Sequence, residues 1–325
     1  MAMTKLIIQI PCYNEADSLP VTLAALPRTV RGVERVEWLV IDDGSTDGTS
    51  TIARAHGTDH VVRLPRHQGL AVAFVAGLEA SVREGADIIV NTDADNQYCA
   101  EDIPKLIEPI LMGEAEIVVG ARPIGSTPHF SFLKKRLQRL GSWAVRKVSK
   151  TDIRDAPSGF RAMSRDAAMQ LHVFNEYSYT LETIIQAGRK GMAIISVPVR
   201  TNDPLRPSRL VSSLPAYLRR QVLTMLRIFM TYKPFYFFAA PGAVALLAGL
   251  LIGLRFLFFY LGGDGAGHVQ SVILSALLMG SGFFLVVVGL LADLASVNRK
   301  LLEGLDWRLK RIEEAVEKDR ERQYQ

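Results

Sequence analysis

Asp93 and Asp95 stand one residue apart, separated by only Asn91 and Thr92 from the apolar run Ile88-Ile89-Val90. Two carboxylates that close resist ionising together. A divalent cation held between them and something anionic would relieve the repulsion, because hard cations such as Mg²⁺ take oxygen ligands and often hold a substrate's phosphates. The simpler alternative is a solvated acidic loop. Gln97 adds an amide oxygen two positions further on. Basic residues follow Gly120: Arg122, Lys134, Lys135, Arg136, Arg139, Arg146 and Lys147. Most suit a solvated helix face, but guanidinium groups also grip phosphate with charge-assisted hydrogen bonds. Arg206, Ser208 and Arg209 form a second basic group, able to bind phosphate or to anchor the chain at a membrane surface.

Elements must bring these groups together. Short apolar runs at Leu6–Ile10, Trp38–Ile41, His60–Leu64, Ile88–Val90 and Ile117–Val119 alternate with helix-like stretches. That alternation predicts an α/β fold with a mainly parallel, Rossmann-like sheet and helices on both faces. In such sheets ligands bind beyond the carboxyl ends of the strands. Three such ends carry polar clusters, at 11–15, 42–49 and 91–97, and their convergence on one edge favours the metal-site reading of Asp93 and Asp95. Ser18 is placed to cap the helix after the first strand, and Asp47 the helix after the second.

Four motifs occur in order: Pro11-Cys12-Tyr13-Asn14-Glu15, Asp42-Asp43-Gly44-Ser45-Thr46-Asp47-Gly48-Thr49, Asp93-Ala94-Asp95 and Ser158-Gly159-Phe160-Arg161. Together they resemble the family-two glycosyltransferases of the GT-A fold, and within them the polyprenyl-phosphate glycosyltransferases. The resemblance implies a nucleotide pocket lined by Pro11, Tyr13, Glu15, Asp42 and Asp43. It implies a site for Mg²⁺ or Mn²⁺ and the donor diphosphate at Asp95, Gln97 and Asp93, with Asp93 alternatively on sugar or ribose. Arg122 and Arg136 match acceptor-phosphate arginines, and Arg206, Ser208 and Arg209 a segment that closes over the phosphates. Asp155 matches a carboxylate near the reacting centre. It would act as a base or orient the acceptor; its structural alternative is a helix cap or a buried ion pair with Arg161. Pro157 departs from the threonine common at that position in the family.

The chain has 325 residues, 49% hydrophobic and 22% charged, with a net charge of +5. Its two cysteines form neither a metal spacing nor a disulfide framework, and Leu6–Ile10 is too short an apolar run for a signal peptide. The hydrophobicity is uneven. Residues 1–210 read as the catalytic domain and 211–234 as an amphipathic interfacial helix. Residues 235–294 read as a two-helix transmembrane hairpin and 295–325 as a charged helix. The loop from Gly262 to Gln270 has no Lys or Arg, whereas basic residues flank both spans. Positive-inside reasoning puts both termini and the catalytic domain in the cytoplasm, at an inner or plasma membrane. The seam Leu302, Leu305, Leu309, Ile312 and Val316 suits packing on the catalytic domain or on a second copy of the chain. Nucleic acid is not expected, because the basic residues cluster beside the spans.

The expected activity is inverting, metal-dependent transfer of a hexose from a nucleotide sugar to a membrane polyprenyl phosphate, in cell-envelope glycan synthesis. A UDP-hexose is the favoured donor and GDP-mannose the alternative. A processive polysaccharide synthase would carry a Gln-x-x-Arg-Trp motif, and the chain has no Arg-Trp pair. A non-catalytic membrane scaffold would be expected to have lost the paired carboxylates.

Overall fold

Lys5–Cys12 forms the central strand, β1, with seven of its eight residues buried. An apolar run this short, covered on both faces, suits the middle of a parallel sheet. Its Leu6, Ile8 and Ile10 join one core with Leu19 and Leu23 of α1 (Leu19–Ala25) and Leu106 and Ile107 of α4 (Ile103–Leu111). Gln9 faces the opposite layer, where α3 (Leu70–Arg83) packs against β1 and β2. Approach there is close: a Cβ on Gly77 of α3 would stand 2.6 Å from Gln9 Oε1.

The computed structural model describes residues 4–123, 149, 151–171, 173, 179–203, 223, 226–227, 230, 232–263 and 266–323. The remaining strands are β2 (Arg35–Asp42), β3 (His60–Arg63), β4 (Ile88–Asn91), β5 (Ile117–Ala121), β6 (Arg161–Ser164) and β7 (Ile194–Pro198). Further helices are α2 (Thr49–Ala55), α5 (Arg165–Gln170) and α6 (Tyr179–Lys190). The sheet order is β3-β2-β1-β4-β6-β5-β7. All pairs are parallel except those of β6, which runs antiparallel to β4 and to β5. The mainly parallel α/β sheet is as the sequence predicts. Strand β6 was not foreseen: four residues beginning with Arg161 and ending with Ser164 carry no apolar run.

Ser18 does occupy the N-cap of α1, but its side chain makes no capping bond. Pro at the start of α1 removes one of the amides a cap would serve. The Ser18 hydroxyl donates instead to Glu15 Oε2 at 2.5 Å, a charged and therefore stronger acceptor. Asp47 serves its helix from one position before the N-cap Gly48, accepting from Thr49 N at 3.0 Å.

The chain divides into two compact units, Met1–Leu214 and Pro215–Gln325. The second contains two helices long and apolar enough to cross a membrane. Helix α7 is Pro234–Leu261, and α8 is one unbroken helix of 55 residues, Val269–Gln323. Thus α8 runs through both the second apolar stretch and the charged stretch after it. Small residues let the pair approach closely: a Cβ on Gly282 would stand 2.7 Å from Gly242 O, and Ser275 Oγ donates to Gly249 O at 2.6 Å. The expected interfacial helix at 211–234 falls mostly outside the described residues.

Candidate active site

Strands β2, β1 and β4 are neighbours and parallel, so the turns after Asp42, Cys12 and Asn91 emerge at one edge of the sheet. The turns after β5 and β7 emerge there too: β6 is antiparallel both to β4 and to β5, so β5 and its parallel neighbour β7 run in the same direction as this set. Because β6 runs the other way, its start at Arg161 lies at that same edge. The reversed strand thereby delivers Ser158-Gly159-Phe160 to the other motifs.

The first two loops are bonded to each other. Asn14 N donates to Ser45 Oγ at 2.9 Å, Thr46 N to Asn14 Oδ1 at 2.9 Å, and Ala16 N to Asp47 Oδ2 at 2.9 Å. Asn14 holds a positive φ of 53°, a conformation asparagine tolerates better than most residues. The Tyr13 ring is 40% exposed and stacks on His67, with centroids 3.8 Å apart. Pro11 is buried within β1. Asp42 and Asp43 are both buried; Asp42 is engaged by its own turn and Asp43 by the segment that leads into α3. Asp42 accepts from Ser45 N at 2.8 Å and from the Ser50 hydroxyl. Burial would raise its pKa, but these hydrogen bonds hold it below the ordinary value. Asp43 accepts from Gln68 N and Gly69 N at 2.8 Å, with His67 Nδ1 also 2.8 Å away. The expected nucleotide-pocket acids therefore brace the loops that frame the edge.

Asp93 is half-buried, and among the described residues no hydrogen bond reaches its carboxylate. Burial and the neighbouring Asp95 carboxylate push it up to about 7, while Arg122 and Arg161 pull it down. Gly159 makes room for it: a Cβ there would stand 2.9 Å from Asp93 Oδ1 and 3.0 Å from the Tyr179 hydroxyl. Asp95 accepts from Gln97 N at 3.2 Å. Among the described residues no three His, Cys, Asp or Glu side chains cluster as a metal site. Two carboxylates and the Gln97 amide are nevertheless the donor set of a Mg²⁺-type site that a substrate's phosphates complete. The neighbouring, mutually repelling carboxylates fit a divalent cation.

Asp155 is buried and accepts from Arg122 at three points, Nε at 2.7 Å, Nη2 at 3.0 Å and the backbone N at 3.2 Å. The anticipated alternative partner, Arg161, is not the one it takes. Arg161 is fully buried and donates to Thr183 Oγ1 at 2.6 Å, to Thr180 O at 3.3 Å and to Ser158 O. A short hydrogen-bonded path fixes Gly159 from both sides. Its N donates to the Tyr98 hydroxyl at 3.0 Å, and its O accepts from Asn91 Nδ2 at 2.8 Å. Asn91 is held in turn by Gln9 Nε2 at 2.9 Å. Sequence reasoning missed Gln9, Tyr179 and His67, and gave Asn91, inside the 91–97 cluster, no role of its own; the one signal for Gln9 was a glutamine inside the otherwise apolar run of β1. Arg136, Arg206, Ser208 and Arg209 lie outside the described residues.

Residues 7–171 match the domain described as Glycosyl transferase family 2. The chain belongs to that family. It is 30% identical over 200 residues to an undecaprenyl-phosphate mannosyltransferase of Micrococcus luteus, covering 58% of this chain and 80% of the relative. It is 26% identical over 204 residues to a polyprenol monophosphomannose synthase of Mycolicibacterium smegmatis, covering 59% and 76%. It is 27% identical over 320 residues to the glycosyltransferase AglJ of Haloferax volcanii, covering 94% of this chain and 96% of that one. Among solved structures, glucosyl-3-phosphoglycerate synthase of Mycobacterium tuberculosis, crystallised with Mn²⁺ and UDP, superposes with a TM-score of 0.54 at 21% identity, over 71% of this chain and 80% of that one. That likeness shows the fold, a GT-A-like α/β sheet. This family-two member is a glycosyltransferase.

Proposed function

We propose that the enzyme transfers a hexosyl group from a nucleotide sugar to the phosphate of a membrane polyprenyl phosphate, with inversion. The observation that carries this is the pairing, at one sheet edge, of two mutually repelling carboxylates, Asp93 and Asp95, with a fork-held guanidinium, Arg122, in a chain with two membrane-length apolar helices. Asp95, Gln97 and Asp93 would hold Mg²⁺ or Mn²⁺. The cation would neutralise charge developing on the departing nucleoside diphosphate. Tyr13 offers an exposed aromatic face to the base, over loops braced by Asp42 and Asp43. Arg122, with Arg136, Arg206, Ser208 and Arg209, binds phosphate oxygens.

The acceptor needs no base, since a phosphate monoester's second pKa is about 6 and it attacks already ionised. Asp155, with both oxygens on Arg122, is read as holding that arginine rather than taking a proton. The mannosyl relatives favour a mannosyl donor over the UDP-hexose expected from sequence. We read the two apolar helices as a membrane hairpin with the catalytic unit and both flanks of the hairpin on the cytoplasmic side, a reading supported by the basic flanks and by the loop without Lys or Arg. The test uses full-length protein in detergent with polyprenyl phosphate, Mg²⁺ or Mn²⁺, and a panel of labelled GDP- and UDP-sugars. Label should enter the organic-extractable lipid with one donor; no transfer from any donor would overturn the assignment.

A further inference from the structure

The turn that carries Asp95 and Gln97 is shaped from a distant part of the chain. Asn96, between them, holds a φ of 55°. That left-handed conformation suits asparagine better than most residues with a Cβ, though it still costs more than in glycine. Asn202 holds the turn in it. Its side-chain amide donates to Asn96 O at 2.9 Å and to Tyr98 O at 3.3 Å, and its backbone N donates to Gln97 O at 2.9 Å. Three consecutive carbonyls of the turn are thus held by one residue.

The clamp is itself anchored. Cys99 N donates to Arg200 O at 3.3 Å, and Tyr98 and Thr201 form an antiparallel bridge. Arg200 donates to Asp102 from its backbone N at 2.7 Å and from Nη2 at 2.9 Å, and Lys105 lies 2.8 Å from the same carboxylate. Although burial would raise it, Asp102 is held down to about 2 by Arg200 and Lys105. It therefore stays ionised, and the ion pair persists, through the whole physiological range. None of these residues contributes a ligand oxygen to the Asp93–Asp95 pair, so their effect on it passes through the backbone of residues 96–98.

We infer that Asn202 is a positioning residue for the metal site: by clamping Asn96–Tyr98 it sets the directions of Asp95 and Gln97 toward a divalent cation. This rests on the metal reading given above. Outer partners that orient ligands typically account for tenfold to hundredfold in metal affinity.

Full-length protein in detergent is titrated calorimetrically with Mn²⁺, with UDP and with GDP present in separate runs, and thermal midpoints are measured without metal. Asn202→Ala should weaken Mn²⁺ binding by about tenfold. Asn202→Asp, the same size but without the two side-chain donors, should do the same and serves if the alanine variant does not fold. Adding Asn96→Gly to Asn202→Ala should restore much of the affinity, since glycine takes positive φ without strain; a purely structural lesion would not be rescued there. Wild-type Mn²⁺ affinity in both Asn202 variants overturns the inference alone. A wild-type protein that binds no Mn²⁺ overturns the metal reading, and this inference with it.

Discussion

Asp155 and Arg122 form a bidentate ion pair, with Nε 2.7 Å from Oδ2 and Nη2 3.0 Å from Oδ1. The Asp155 side chain is 1% exposed and that of Arg122 19%. Both carboxylate oxygens face a guanidinium that also lies 6.0 Å from the centre of the Tyr98 ring. A carboxylate so engaged orients a cation.

The consequence is measurable in the kinetics. Asp155→Asn should raise KM for polyprenyl phosphate more than it lowers kcat, and the pH profile of kcat should keep its shape. Loss of an acidic limb in kcat would instead mark Asp155 as a base. Asp155→Ala, which strands the Arg122 charge, should destabilise the fold by about 3 kcal/mol in denaturant titration.

The Asp93 carboxyl, raised to about 7 by burial and by Asp95, gives a pH signature in metal-free protein. An unfolded aspartate titrates near about 3.9. Between those values the folded state binds more protons than the unfolded one, so stability falls as pH rises. The thermal midpoint without metal should decline from about pH 4 to about pH 7 through this group, and Asp93→Asn should flatten that decline. Mn²⁺ affinity should rise over the same interval, because the ligand must lose its proton.

Gly159→Ala tests the space beside Asp93. The added methyl would meet Asp93 Oδ1 at 2.9 Å and the Tyr179 hydroxyl at 3.0 Å. The carboxylate must shift, and transfer should drop by about tenfold or more, while circular dichroism keeps the native secondary structure.

Within the helix pair, Gly282→Leu should separate α7 from α8, since even a Cβ would sit 2.7 Å from Gly242 O. A lower thermal midpoint in detergent than that of Leu290→Ala, at a 51% exposed position, is the expected result.

Much of the fold was legible because its signals are local. Strands β1, β2, β4 and β5 are apolar runs bounded by polar turns, and α7 and the first half of α8 declare themselves by length and hydrophobicity. The antiparallel β6 was not legible. Arg161 and Ser164 bound it, and its stability comes from pairing with β4 and β5 rather than from its own residues.

The sequence by itself determined the chemistry on offer: two adjacent carboxylates after a buried strand, arginines downstream, and apolar helices of membrane length. Residue type and near-neighbour spacing suffice for that. Tertiary structure decided the partners. Asp155 takes Arg122, 33 positions away, over the nearer Arg161, and Asn202 clamps Asn96, 106 positions away. Such choices depend on which strand ends the sheet order brings to one edge, and on the few ångströms over which a hydrogen bond is effective.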